Sequence, residues 1–323
     1  MKEGSVRRRS WVLPLRTLAA VVMLGVLLRR THVSSLVPEW NTQAGLWLAG
    51  ALAVTLFGIV LSTLRWRQVL AALGLRARVR TLFSCYLAGL FVGNFLPSTI
   101  GGDVLRVTRL SAANGDRPDT FASVVLERLT GWLVLPLLTL AAMALNPGLS
   151  RLGTASAVAI ALSGGTLVLL VGVLLAAASP RIGGRLAGTA GWQRFIGAVH
   201  LGLERLRHRP GAVAGVLAVG FAYQLAVVLG AFLAARALGV DVSPTAVLAF
   251  MPAVAIAQVL PISLGGLGVR EGAFVLFLGP LGVPAGQAVA LGLLVYSLNL
   301  AVSLLGAPAF AVGSPGHSAP HTV

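Results

Sequence analysis

Long windows without a single charged residue divide this chain, and they decide what it can become. Residues 17–28, 42–64, 81–102, 129–150, 154–178, 211–235, 244–269 and 286–310 contain no Asp, Glu, Lys or Arg. An ionised group at mid-bilayer is expensive, and about 20 apolar residues cross the hydrocarbon as a helix. An open sheet leaves its backbone unsatisfied in lipid, so the windows are expected to be helical. The composition agrees: 57% of residues are hydrophobic, 11% are charged and mean hydropathy is +0.89. Soluble domains carry roughly 25% charged residues, so too few polar groups exist here to cover a water-facing surface. The expectation is an all-α membrane protein with about eight hydrophobic helices, multi-pass in the cell membrane. The first window is short, but Trp11 to Leu28 spans the core if Arg16 snorkels to the interface. Its Arg7-Arg8-Arg9 prelude resembles a secretory or twin-arginine signal; with a polytopic chain behind it, an uncleaved start-transfer helix is expected.

The formal charge is +16, and Lys2 is the sole lysine. The arginines form short clusters between apolar windows rather than one basic face, which points to membrane-surface anchoring and away from a nucleic-acid partner. A lone cysteine, Cys85, excludes an intramolecular disulfide and a multi-thiolate metal site. The histidines (His32, His200, His208, His317, His321) lack metal-ligand spacing. No Gly-x4-Gly-Lys-Ser/Thr run is present, so neither a cofactor nor direct ATP drive is implied.

Three basic clusters set the orientation: Lys2 to Arg16, Arg65 to Arg80, and Arg181 to Arg209. Positive loops prefer the cytoplasm. If 81–102 and the residues after it form a hairpin that enters and leaves by one face, two full crossings separate the second cluster from the third, and all three lie inside. In the third cluster Trp192, Phe195, Ile196, Val199, Leu203 and Leu206 form a helical apolar stripe opposite Arg194, Arg205 and Arg207. A helix lying on the membrane surface and a loop helix capping the bundle both fit that stripe.

The chain also repeats itself. Leu96-Pro97 through Gly101-Gly102 and Arg106 aligns without gaps to Leu260-Pro261 through Gly265-Gly266 and Arg270, an offset of 260 minus 96, or 164. That offset also carries the window at 81 onto 245 and residue 120 onto 284. Proline lacks its N–H and glycine adds backbone entropy, so each motif predicts a break at membrane depth. Lipid tolerates broken helices only where protein or water satisfies the freed groups, and matched breaks in two halves mark transporter binding sites. Two pseudo-symmetric, inverted halves around a polar cavity are therefore expected, each with a broken or re-entrant segment. The boundaries are 1–10 (basic, cytoplasmic), 11–153, 154–310 with an amphipathic loop at 181–209, and a flexible tail at 311–323.

Ionisable residues cluster beside the breaks: Asp103, Arg106 and Arg109 in the first half, Arg270 and Glu271 in the second, and Glu127-Arg128 one or two turns into a helix beginning near Asp119. A helix restarting after Gly-Gly aims free N–H groups at the break, and an arginine there makes an anion site. Phosphate suits the guanidinium fork. The candidate head-group residues are thus Asn94, Pro97, Gly101, Gly102, Asp103, Arg106, Arg109, Glu127, Arg128, Pro261, Gly265, Gly266, Arg270 and Glu271. Plainer readings stand beside this one. Asp103 and Arg106, three apart, could simply neutralise each other; Arg109 and Arg117 could snorkel; Asn94, Gln258 and Asn299 could satisfy freed backbone.

Together, Asn94-Phe95-Leu96-Pro97, Gly101-Gly102-Asp103, Arg106, Glu127-Arg128 and Pro261 with Gly265 to Glu271 resemble the lysylphosphatidylglycerol synthetase transmembrane family, or flippase-like membrane proteins, over about residues 11–310. In that family the membrane domain of the multiple peptide resistance factor moves aminoacylated phosphatidylglycerol between leaflets, while a separate soluble domain attaches the amino acid. Only an uncharged tail follows the last window here, so lysyl transfer itself is not expected from the resemblance. The implied function is translocation of an anionic or aminoacylated phospholipid, or a lipid-linked phosphate, by alternating access, with membrane lipids as partners. Arg106 and Arg270 would contact phosphate; Asp103, Glu127 and Glu271 would balance charge or carry a proton. Two rivals are a membrane-embedded transferase or phosphatase acting on a lipid phosphate, and a non-catalytic scaffold for a separate lipid-modifying enzyme.

Overall fold

Helix starts in this chain are written in local chemistry. Asn41 accepts the Ala44 amide at 2.7 Å and opens α1 (Thr42–Ala72). Pro118 and Asp119 stand in the first turn of α4 (Arg117–Leu145), where a missing N–H costs nothing and a carboxylate meets the positive helix end. Ser243 caps α8 (Pro244–Ala257), accepting from the Ala246 amide at 3.2 Å. The computed structural model describes residues 41–95, 101–115, 117–179, 193–206, 209–260, 263 and 265–312, with Gly25. The remaining helices are α2 (Val79–Phe95), α3 (Gly101–Asn114), α5 (Thr154–Ala178), α6 (Gln193–Leu206), α7 (Pro210–Ala237), α9 (Val269–Leu278), α10 (Ala285–Leu304) and α11 (Gly306–Ala311). The described residues contain no strand. The window at 17–28 apart from Gly25, together with Pro97, Pro261, Trp192, Arg207 and the stretches 1–10 and 313–323, lies outside the described residues.

Five helices, α1, α4, α5, α7 and α10, are long and apolar enough to cross a bilayer. α2 and α8 are apolar but have 17 and 14 residues. At 1.5 Å per residue they reach about 25 and 21 Å, less than the roughly 30 Å hydrocarbon thickness. The windows at 81–102 and 244–269 each hold one short helix and the start of the next, with an interruption between them as the Pro and Gly-Gly motifs predict. Expected and observed boundaries differ elsewhere too. The window at 129–150 belongs to a helix that begins at Arg117, because a charge-free criterion cannot see turns carrying Asp119, Glu127 and Arg128. Glu127 lies ten residues in, nearly three turns. The window at 286–310 breaks after Leu304 into α10 and α11.

The element order repeats close to the sequence offset, each start in the second set falling one to four residues later. Adding 164 to the starts of α1, α2, α3 and α4 gives 206, 243, 265 and 281; α7, α8, α9 and α10 begin at 210, 244, 269 and 285.

The helices divide into two compact units, one comprising Met1–Gly58, Gly131–Leu170 and Phe221–Asn299, the other Ile59–Thr130, Val171–Gly220 and Leu300–Val323. The second unit holds the α2–α3 hairpin. Gly89 lies against Gly102 near its tip, while Leu82 and Cys85 cluster with Val107 and Leu110, so the two helices run antiparallel. A Cβ on Gly102 would collide with the Gly89 carbonyl, the backbone-to-backbone approach that small residues permit in membranes. Also in this unit, Val199 of α6 is fully buried against Val69 and Leu73 of α1 and Ala122 and Val125 of α4. Val199, with Ile196 and Leu203 partly buried beside it, packs on protein as a capping helix would, while Phe195 of the same stripe stays exposed.

The first unit holds the α8–α9 hairpin. Phe250 stacks on Phe277 at 5.3 Å, and Gln258 meets Gly266, again an antiparallel arrangement. Thr139 of α4 donates to the Ala249 carbonyl at 2.8 Å, close to Pro252, where α8 lacks an N–H.

Candidate functional site

The second unit contains a buried ionic cluster built from three helices. Arg65 of α1 and Glu127 of α4 form an ion pair, with side chains only 5% and 2% exposed. Glu127 Oε2 also accepts from Arg106 Nη1 and Nη2 of α3, both at 3.1 Å. Asp103, one turn before Arg106, accepts from Arg106 Nη1 at 3.4 Å and takes the Arg128 guanidinium in two bonds of 3.0 and 2.9 Å. The i,i+3 pairing of Asp103 with Arg106 is therefore real but secondary, since Arg106 lies closer to Glu127. Ring faces complete the setting: Arg106 Cζ is 4.2 Å from the Trp66 ring and 4.5 Å from the Tyr86 ring. Trp66 is fixed by its indole N–H donating to Ser123 Oγ at 3.0 Å. A low dielectric strengthens each of these contacts and makes an unpaired charge costly.

Glycine decides where Arg106 can go. A Cβ on Gly89 would stand 2.9 Å from Arg106 Cγ and 3.0 Å from Cδ, so the bare glycine lets the arginine stem cross the neighbouring helix. Gly102 serves the same helix contact, and its approach is to Gly89 of its own hairpin. Arg109 donates to the Ala309 and Phe310 carbonyls, both at 2.7 Å, which makes it a cap on the α11 C-terminus. Asn94 is half-buried at the end of α2, and its side chain makes no hydrogen bond among the described residues. Asn299 donates to its own helix at the Val295 carbonyl, 2.8 Å away.

The first unit contains a smaller cluster. Glu271 is fully buried. Its Oε2 accepts the Gly268 amide at 2.6 Å, and its Oε1 accepts from Arg270 Nε and Nη2 at 3.0 and 2.7 Å. The carboxylate thus occupies the positive N-terminus of α9, where the sequence suggested a place for a ligand anion. Arg270 Cζ lies 4.5 Å from the Tyr296 ring. Gly265, Gly266 and Gly268 have φ of 62°, 76° and 81°, the left-handed region that a side chain would strain. Gly101 and Gly102, the repeat partners of Gly265 and Gly266, are simply the first residues of α3.

Sequence reasoning missed Arg65, Gly89, Trp66, Tyr86 and Tyr296. Arg65 carried one usable signal: it is the first charge after a long apolar window and sits two positions from exposed Arg67, so the two cannot share a helix face. Among the described residues no group of three or more His, Cys, Asp or Glu is placed to hold a metal ion.

No match to this chain exists among curated proteins or solved structures. A family model described as the lysylphosphatidylglycerol synthase TM region matches residues 13–306. That match covers all five long helices and both hairpins. The chain belongs to the lysylphosphatidylglycerol synthase transmembrane-region family.

Proposed function

We propose that this multi-pass protein of the cell membrane translocates an anionic or aminoacylated phospholipid, or a lipid-linked phosphate, between leaflets. The observation that carries the reading is the cluster at the first hairpin: Arg65, Arg106 and Arg128 against Asp103 and Glu127, with Arg65, Arg106 and Glu127 buried. Charged groups within membrane helices face a partner or a pathway, and guanidinium groups beside a helix N-terminus suit a phosphate. Family membership points the same way, since the family is named for a lipid-modifying membrane protein.

Counting crossings along the chain supports an inverted arrangement. With the exposed loop at Arg76 and Arg78 placed in the cytoplasm, α1 ends there, the α2–α3 hairpin enters and leaves from that side, and α4 and α5 cross out and back. α7 then crosses outward, α8–α9 is a hairpin from the outer side, and α10 returns. Membrane lipids are the proposed partners.

The test is leaflet-resolved lipid analysis in cells lacking the protein, complemented by wild type, Arg106→Lys or Arg106→Ala. Loss of asymmetry in the deletion strain that wild type restores and the Arg106 variants do not is the expected result. An unaltered lipid distribution on deletion defeats the reading.

A further inference from the structure

The repeat matches more than its prolines, glycines and arginines. At the same offset of 164, Asn94 meets Gln258 and Thr99 meets Ser263, so each interruption is framed by a carboxamide and, five residues later, a hydroxyl. Uncharged groups of this kind commonly satisfy the backbone freed by a break. In the second hairpin they do not. Ser263 is 6% exposed and its Oγ is buried with no hydrogen-bond partner, and the Gln258 side chain makes no hydrogen bond among the described residues. The loop is also inside out: Val259 and Leu260 are 46% and 42% exposed, while the hydroxyl turns inward. Gly266, held in left-handed backbone at φ 76°, lies against Gln258 and closes residues 259–265 into a loop on the end of α8. Three residues reach at most about 11 Å, so Ser263 cannot stray far from that end. A buried hydroxyl left open is costly, and native structures keep one where a ligand or water uses it.

The charges around the loop decide what that ligand is. α8 brings its C-terminus, where carbonyl oxygens carry a partial negative charge. Its final turn has tightened, with the Val259 and Leu260 amides donating to the Ile256 and Ala257 carbonyls. The opposing positive end, at α9, is filled by the Glu271 carboxylate on the Gly268 amide, and Arg270 neutralises Glu271 through Nε and Nη2. An anion therefore finds its place taken. A proton finds nothing in the loop to titrate, because a hydroxyl and a carboxamide stay neutral. A divalent cation is generally held by carboxylates, and among the described residues no cluster of acidic ligands stands ready for one. Neutral oxygens at the carbonyl end of a broken helix suit a monovalent cation. We propose that the interruption between α8 and α9 binds an alkali cation, with Ser263 Oγ and Gln258 Oε1 as side-chain ligands and the C-terminus of α8 as the electrostatic seat. The site goes beyond the lipid-translocation reading, since it gives a chain without a nucleotide motif an ion gradient to draw on.

The test is thermal unfolding of the full-length protein in dodecyl maltoside micelles, followed by tryptophan fluorescence at fixed total chloride while choline is exchanged for sodium or potassium. A ligand that binds only the folded state raises the midpoint in step with its occupancy. Wild type should show that rise with sodium, potassium or both, and the arm that responds names the cation. Calcium at the same chloride should not reproduce it. Ser263→Ala removes an open hydroxyl, so in choline its midpoint should equal or exceed that of wild type. Its half-saturating alkali concentration should rise about tenfold, the worth of one contact to a charge. Gln258→Met removes the carboxamide without branching the side chain and should weaken the cation similarly. Ser297→Ala removes a hydroxyl already bonded to the Leu293 carbonyl and should leave half-saturation within about twofold. Equal midpoints in choline, sodium and potassium overturn the site, as does an alkali response that Ser263→Ala leaves intact or a stronger response to calcium. The cellular lipid assay succeeds or fails independently of these results.

Discussion

Glu127 holds two guanidinium groups at once, one from α1 and one from α3. Removing its charge leaves two buried cations facing a neutral amide of the same shape. Breaking a buried ion pair from one side costs about 3–5 kcal/mol, more than a surface pair by several-fold. Glu127→Gln should therefore destabilise the protein by that amount, read as a lowered unfolding midpoint in detergent micelles. Arg236→Gln, which breaks an exposed pair with Asp241, should change the midpoint little. Equal effects of the two substitutions would mean that Arg65 and Arg106 are hydrated rather than buried. Asp103, Arg106, Glu127, Arg128, Arg270 and Glu271 were legible because an ionisable residue beside an apolar window stands out at once. Trp66, Tyr86 and Tyr296 were not, since an aromatic residue in a membrane helix is ordinary until its ring is found over a cation. Which carboxylate serves which arginine was also hidden: Arg65 and Glu127 are 62 positions apart, and no local spacing announces the pair.

At the scale of the element, the α2–α3 hairpin depends on two glycines meeting across the helix contact. In lipid the helices gain little from hydrophobic exclusion, so close backbone approach carries more of the association than it would in water. Gly102→Ala places a methyl group on the Gly89 carbonyl and forces the helices apart, a strain of about 1–3 kcal/mol. Gly93→Ala, four residues further along the same helix as Gly89, meets nothing within 4 Å and should be neutral or stabilising through helix propensity. Thermal unfolding of both variants in micelles separates the explanations: similar losses would place the effect in glycine content rather than in contact. The repeat was readable as coincident letters, and the helix starts follow it. The jobs of those letters were not readable. Gly265 and Gly266 turn the chain through left-handed backbone, while Gly101 and Gly102 begin a helix and admit a neighbour, a difference fixed by dihedral angles that the sequence does not display.

For the whole molecule, the proposed path through the bilayer makes a pattern that labelling can read. Cys85 is the only cysteine and is buried, so Cys85→Ser gives a silent background. New cysteines at exposed Arg76 and Arg117 fall on the cytoplasmic side of the proposed path, and cysteines at exposed Ser150 and Asp241 fall outside. The charge distribution favours that assignment over its mirror image. The described loop between α1 and α2 carries Arg76 and Arg78, whereas the connection from α4 to α5 carries Arg151 alone and that from α7 to α8 carries Asp241. An impermeant maleimide added to intact cells should label Ser150→Cys and Asp241→Cys, and should reach Arg76→Cys and Arg117→Cys only after permeabilisation. The pair at Arg76 and Arg117 brackets the first hairpin, so labelling them on opposite sides would turn α2–α3 into a net crossing. Ser150 and Asp241 are separated by two spans, α5 and α7, so their shared sidedness checks both crossings at once. With all four positions as expected, the chain reaches its second hairpin from the face opposite the first. The equivalent residues Arg106 and Arg270 then belong to segments entered from different sides of the membrane, as an inverted repeat requires.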